Sequence, residues 1–409
     1  MRSRRRLVLI AALAVGLVGY GVAQATVGGH SNRAASAGGS THAGHAGGAP
    51  ATLGGHPVAG HFKPDATKLA DCASDDTSGC YEQAFGNLVI LDGPKPALIE
   101  FAKDMQSNAT VQADCHRIAH MMGSAALVRF NGDVSKAFAL GASTCWSGWY
   151  HGILERAFAD VGSKADAGAV SRKLCSGQTI QRTQYLYYQC VHGLGHGLMI
   201  FSGYDLPWAL HVCDDLKTDW DQTSCTGGVF MENISSSYGV KSRWVKDDDP
   251  VYPCETVSDK HKLYCYLMVT SRVNQLNGFN WRKTAATCRS VEKDWIETCF
   301  ESLGRDASGF TRENPPQIAG ICSAAKPYIV SCLYGAVRDL ASFDPRGERA
   351  ARLCSLVGSR FKAQCYNGIG TIVGTYYAQA SQKRAACKRL APEAYRESCV
   401  AGAGLGGTA

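Results

Sequence analysis

Cys332-Leu-Tyr-Gly335-Ala-Val-Arg338 and Cys365-Tyr-Asn-Gly368-Ile-Gly-Thr371 carry one pattern 33 residues apart: a cysteine, a glycine three places on, then apolar residues at helical spacing. Each stretch opens a helix, and Ala351-Arg-Leu-Cys354-Ser-Leu-Val357, which closes one, precedes the second. Working outward, the cysteines pair by neighbour as Cys175/Cys190, Cys213/Cys225, Cys254/Cys265, Cys288/Cys299, Cys322/Cys332, Cys354/Cys365 and Cys387/Cys399. The second members from Cys265 onward recur in steps of 34, 33, 33 and 34. That period accommodates two helices of about a dozen residues with their turns, the unit of a helical solenoid. A disulfide between each pair would staple one helix to its successor, worth on the order of 3 kcal/mol through loop closure. The expected fold is therefore all-α, a disulfide-stapled, α-solenoid-like helical-repeat domain.

The rest of the chain sets the compartment. Its 409 residues include 18 cysteines, all between Cys72 and Cys399. Met1 to Arg6 is basic, Leu7 to Gln24 is uncharged and apolar, and Ala23-Gln24-Ala25 offers small residues for a signal peptidase. Residues 1–25 read as a signal peptide or, if retained, as a membrane anchor through residues 7–24. Either route exports the cysteines to an oxidising space, secreted or extracytoplasmic, where disulfides persist. Without Arg2, Arg4, Arg5 and Arg6 the formal charge of +7 falls to +3, 38 basic against 35 acidic residues, which removes the case for a nucleic-acid partner. Residues 26–65 are rich in Gly, Ala and Ser with five histidines (His30, His42, His45, His56, His61), and read as a flexible linker. Residues 66–250 form a histidine-rich half of the helical domain and 251–405 the stapled repeats.

Over roughly residues 171–402 this arrangement resembles the secreted, cysteine-rich versions of tetratricopeptide-like helical repeats. The resemblance lies in period, cysteine placement and helix pairing; the Trp, Leu-Gly and Tyr signature of true tetratricopeptide units is missing. It implies a binding scaffold and carries over no catalytic residue. Zinc ribbons need cysteine gaps of two to four residues, which do not occur.

The pattern also supplies an internal control on function. Three places past the second cysteine stand Gly148, Gly193, Gly228, Met268, Ser302, Gly335, Gly368 and Gly402, nearly always small, as close backbone approach requires. Six places past it stand His151, His196, Met231, Ser271, Arg305, Arg338 and Thr371. The later units do without histidine, so the fold does not demand it. Histidine gathers in the first half instead. His116 and His120, and again His192 and His196, are four apart and share a helix face. Glu155 lies four beyond His151, and Glu232 one place beyond the position His196 takes in the preceding unit. A Cys115–Cys145 bridge, the two left after neighbour pairing, would carry His116 and His120 towards His151.

His116, His120, His151, His192, His196, Glu155 and Glu232 are thus the candidate metal ligands. Imidazole with carboxylate, the thiols being in disulfides, suits a transition metal ion (Zn, Cu or Fe) and disfavours Ca and Mg. Seven donors exceed the need of one structural ion, which suggests a dinuclear centre or a catalytic ion with supporting imidazoles. The expected function is an exported metal-binding protein, in the enzymatic case a metal-dependent one. The alternatives are a helical-repeat scaffold for an extracellular or cell-envelope ligand, and a metal-capture or delivery protein acting through the His-rich linker. Gly193-Leu-Gly-His-Gly197 lacks the Lys-Ser/Thr of a phosphate loop, and no Gly-x-Ser-x-Gly elbow is present. His211 and His261 fit no pattern and read as structural or surface residues.

Overall fold

The structure, a computed structural model, describes residues 49–405 apart from Pro345. These belong to a compact unit running from Ala46; the leader 1–25, the stretch 26–48 and a second unit, Met1–His45, lie outside the described residues. The described chain is all-α: twenty-one α-helices and one two-stranded antiparallel pair, Thr52–Leu53 with His56–Pro57.

Long helices pack on one another in chain order. Cys115–Arg129 lies against Thr144–Ala159, that helix against Gln184–Phe201, then follow Asp219–Ile234 and Asp259–Asn277. Ile296–Phe310, Ile329–Phe343, Ser359–Tyr376 and Arg396–Gly402 continue the series. Local sequence sets many of the starts. Thr183, Thr218, Asn280 and Asn314 each accept a backbone N–H from three residues on, filling donors that a helix N-terminus leaves free.

All 18 cysteines are bridged, and none is free. The seven neighbour pairs form as their spacing predicts, Cys115 joins Cys145, and Cys72 joins Cys80. In the second half the bridge runs from a short helix to the next long one. Cys288 of Trp281–Ser290 meets Cys299 of Ile296–Phe310, and Cys354 of Glu348–Leu356 meets Cys365 of Ser359–Tyr376. Such a complement of disulfides belongs to an oxidising, extracytoplasmic environment. No helix among the described residues is long and apolar enough to cross a membrane; residues 7–24 are outside them.

One expectation needs correction. The flexible linker expected over residues 26–65 is shorter at its C-terminal end: from Ala49 the chain packs against the helices. Val58, Ala59 and Phe62 are buried, the Ala59 N–H donates to the Tyr238 hydroxyl (2.8 Å), and Arg156 donates to the carbonyls of Gly60 and Phe62. Low complexity hid this, because two apolar side chains and a few backbone groups fasten the segment without any periodic pattern. His61 Nε2 sits 3.0 Å from the Ala49 carbonyl, and His56 Nε2 lies 3.4 Å from Arg117 on the Cys115–Arg129 helix.

Glycine brings the first-half helices together. A Cβ on Gly152 would lie 1.8 Å from the His120 carbonyl oxygen, and one on Gly228 would lie 1.9 Å from that of His192. Backbones can approach this closely only where no side chain intervenes. The crossings occur beside the two histidine pairs, and the packing that holds the helices also converges their imidazoles.

Candidate metal centre

Three neighbouring helices supply the histidines: His116 and His120 from Cys115–Arg129, His151 from Thr144–Ala159, and His192 and His196 from Gln184–Phe201. His151 stands in the middle. One nitrogen from each of His116, His120 and His151 lies within 4.8 Å of the others, and the same holds for His151, His192 and His196. His116 is half-buried and the other four are buried. Of the remaining described histidines, His211 is exposed, while His261 bridges Ser258 and Asp214 (3.0 and 2.9 Å) away from the centre.

The middle helix begins unusually. Cys145, Trp146 and Ser147 have φ of 52°, 52° and 64°, a left-handed turn that costs about 1–2 kcal/mol for each such residue. The bridge to Cys115 anchors this turn, which aims the Cys145 carbonyl at His116 Nδ1 (2.7 Å). It leaves Trp146 48% exposed with its ring 6.3 Å from that of His116, so the turn marks the solvent side of the centre. Further along the helix, buried Trp149 donates to the Ala137 carbonyl (3.1 Å) and holds the helix in place.

The two carboxylates stand behind histidines of neighbouring helices. Glu232 Oε2 meets His196 Nδ1 at 2.9 Å and accepts from the Ser237 hydroxyl (2.7 Å). Its Oε1 accepts from the Tyr204 hydroxyl (2.5 Å) and the Ser237 N–H (2.9 Å). Burial opposes charge on this carboxylate, but His196 and the hydroxyls of Tyr204 and Ser237 outweigh it and hold its pKa down at about 2. An ionised Glu232 can only accept, so His196 Nδ1 donates to it and His196 Nε2 is the nitrogen turned away from the carboxylate. That Nε2 is buried and has no hydrogen-bond partner among the described residues, and the same is true of both nitrogens of His151.

Glu155 plays the corresponding part on the other side. Its Oε1 pairs with His120 Nδ1, and its Oε2 accepts from the Tyr238 hydroxyl (2.6 Å). With fewer donors than Glu232, its pKa is pushed up to about 8 by burial, against the Tyr238 hydrogen bond. His116 Nδ1 must donate to the Cys145 carbonyl, so its Nε2 is a lone pair, and that atom lies 3.0 Å from His120 Nε2. With Glu155 neutral the His120 Nε2–H donates to His116 Nε2; with Glu155 ionised two lone pairs face each other there and a cation fits between them. Two nitrogens bound to one tetrahedral ion at about 2.0 Å stand about 3.3 Å apart, close to the spacing seen.

His116, His120, His151 and His192 are kept neutral, which ligation requires. Burial is the main cause at His116, His120 and His192, each pushed down to about 3, and neighbouring histidines add to it at His116 and His192. His151, surrounded by four other rings, is pushed well below the ordinary histidine range by burial first and by those rings next. Tyr188 stacks on His192 with its hydroxyl 3.5 Å from Nδ1.

All seven predicted site residues thus lie in one buried cluster, the histidines innermost and the carboxylates behind His120 and His196. Sequence reasoning missed Tyr204, Ser237 and Tyr238, which hold the carboxylates. The last two lie in the run Ser235-Ser236-Ser237-Tyr238, and only its place just past Glu232 hinted at a role. No protein-family model, curated protein or solved structure matches this chain, so the reading of the site rests on its own residues.

Proposed function

We propose that this chain is an exported metalloprotein whose five-histidine centre holds a transition metal, Zn, Cu or Fe. The observation that carries the reading is the set of buried imidazole nitrogens without partners among the described residues, His196 Nε2 and both nitrogens of His151, inside a shell of histidines. Each such atom would cost about 1–3 kcal/mol if left unsatisfied, and a metal ion satisfies several at once. The His196–Glu232 and His120–Glu155 pairs have the form of metal-ligating histidines held by a carboxylate on the second ring nitrogen. Three imidazoles around an ion leave a position for water or oxygen, the arrangement of catalytic rather than structural sites. The solvent side at Trp146 and His116 would admit the substrate. The identity of the ion selects hydrolytic or redox chemistry.

The test is elemental analysis of untagged, exported protein in which His30→Ala, His42→Ala and His45→Ala remove the linker histidines. At least about one equivalent of Zn, Cu or Fe should survive dialysis. Metal at background after reconstitution would sink the proposal. A chain that binds metal only when the three linker histidines are present would be a capture protein instead.

Glu232→Gln offers a sharper check. The amide keeps the shape but presents a weaker acceptor, or an N–H, to His196 Nδ1. Metal affinity, read by competition with a chelator, is expected to fall about 10- to 100-fold with the fold retained. Unchanged affinity would mean that His196 is not a ligand.

A further inference from the structure

The arrangement of the five histidines says more than that a metal binds. A neutral imidazole has one lone pair and one N–H. A single ion at the centre would take the lone pair of His151 and leave its other nitrogen, with its proton, buried and without an acceptor. Neither nitrogen of His151 has a hydrogen-bond partner among the described residues. Its neighbours divide evenly around it. His116 and His120 form one three-nitrogen set with His151, and His192 and His196 form another, on helices to either side.

We infer that the centre holds two ions, each on three imidazoles, and that His151 bridges them through both ring nitrogens. This rests on the proposed metal-binding function and specifies the number of ions and the role of His151. Binding of the second ion replaces the N–H proton of His151, which leaves for solvent, and the ring becomes an imidazolate carrying one negative charge. Charge supports the arrangement. Two divalent ions would face the imidazolate and the carboxyl groups of Glu232 and Glu155, three acidic groups in the same shell. A single ion on three imidazoles would leave two histidines with nothing to bind.

The rings can reach this geometry. His151 lies nearly parallel to His196, ring centres 4.0 Å apart and planes 16° from parallel, while the rings of His116 and His120 stand edge-on to it. The torsion that turns an imidazole about Cβ–Cγ is broad, so His151 can swing its nitrogens into line without moving its helix. No thiolate is available, all cysteines being bridged, which leaves an all-nitrogen donor set suited to Cu(II) or Zn(II).

Cu(II) is the probe, because two coppers joined by an imidazolate are magnetically coupled. The full chain with His30→Ala, His42→Ala and His45→Ala would be stripped by chelator, titrated with Cu(II), desalted, and measured for copper content and electron-spin concentration. Two coppers per chain with a spin count well below two at low temperature is the expected result. In His151→Ala the spin count per copper should return to one. The chain with His151 intact decides the matter by itself, so nothing depends on the His151→Ala variant folding. One copper per chain, or two with two independent spins, overturns the bridge while leaving the metal-binding function standing. No copper retained here, with no Zn or Fe in the protein as exported, overturns both.

Discussion

Complete reduction is expected to unfold this protein at 25 °C without any denaturant. The nine disulfides close nine loops that follow one another along the chain and never overlap, with separations of 8 to 30 residues. Because no loop lies inside another, each closure restricts the unfolded chain independently. Loops of this size are worth about 3 kcal/mol each, so the nine together exceed the 5–15 kcal/mol by which domains are ordinarily stable. Sixteen of the cysteines are buried; only Cys80 and Cys145 are half-buried. Under native conditions Cys72–Cys80 and Cys115–Cys145 should therefore be reduced first, and the others only as the chain opens. Far-UV circular dichroism with thiol counting gives the answer. A chain with eighteen free thiols and an unchanged helical spectrum would show that packing alone holds the fold. Loss of metal at the first step, before the helical signal falls, is expected as well, since Cys115–Cys145 anchors the turn that fixes His116.

That the cysteines were so informative has a physical cause. A disulfide across one helix–turn–helix joins residues near in sequence, so pairing by neighbour works and the spacing reports helix length directly. The histidine pairs were legible for a related reason: residues four apart on a helix share a face wherever the helix is placed. What could not be read was the partner across helices. Glu155 follows His151 by four residues yet pairs with His120, 35 residues earlier, and Glu232 pairs with His196, 36 residues earlier. Spacing makes both glutamates candidates for the metal, while the tertiary crossing places them against Nδ1 of a neighbour. The segment from Ala49 to Phe62 was misread for the opposite reason. It has no period, and its attachment depends on Val58, Phe62 and the Ala59 N–H finding partners far along the chain.

The crossing is also the most vulnerable point of the site, and Gly152→Ala should show it. An added Cβ would lie 1.8 Å from the His120 carbonyl oxygen and 2.5 Å from its carbon, which are backbone atoms that cannot rotate away. The Cys115–Arg129 and Thr144–Ala159 helices would have to separate by more than an ångström. Glycine to alanine inside a helix is otherwise favourable by about 0.5–1 kcal/mol, so the intrinsic preference works against the effect. Overpacking of a close contact costs about 1–3 kcal/mol and more where the neighbour is backbone, so a net loss of about 2 kcal/mol or more is expected. The separation draws His120 away from His151 and Glu155 away from His120, and metal content should fall further than stability does. Gly320→Ala is the control: it is exposed in the Pro315–Cys322 helix, with nothing within 4 Å of the new Cβ. There the same change should raise the denaturation midpoint slightly and leave metal content alone. If both variants behaved alike, the close crossing would not be what assembles the centre, and the link drawn between glycine at the helix contact and histidine at the metal would fail.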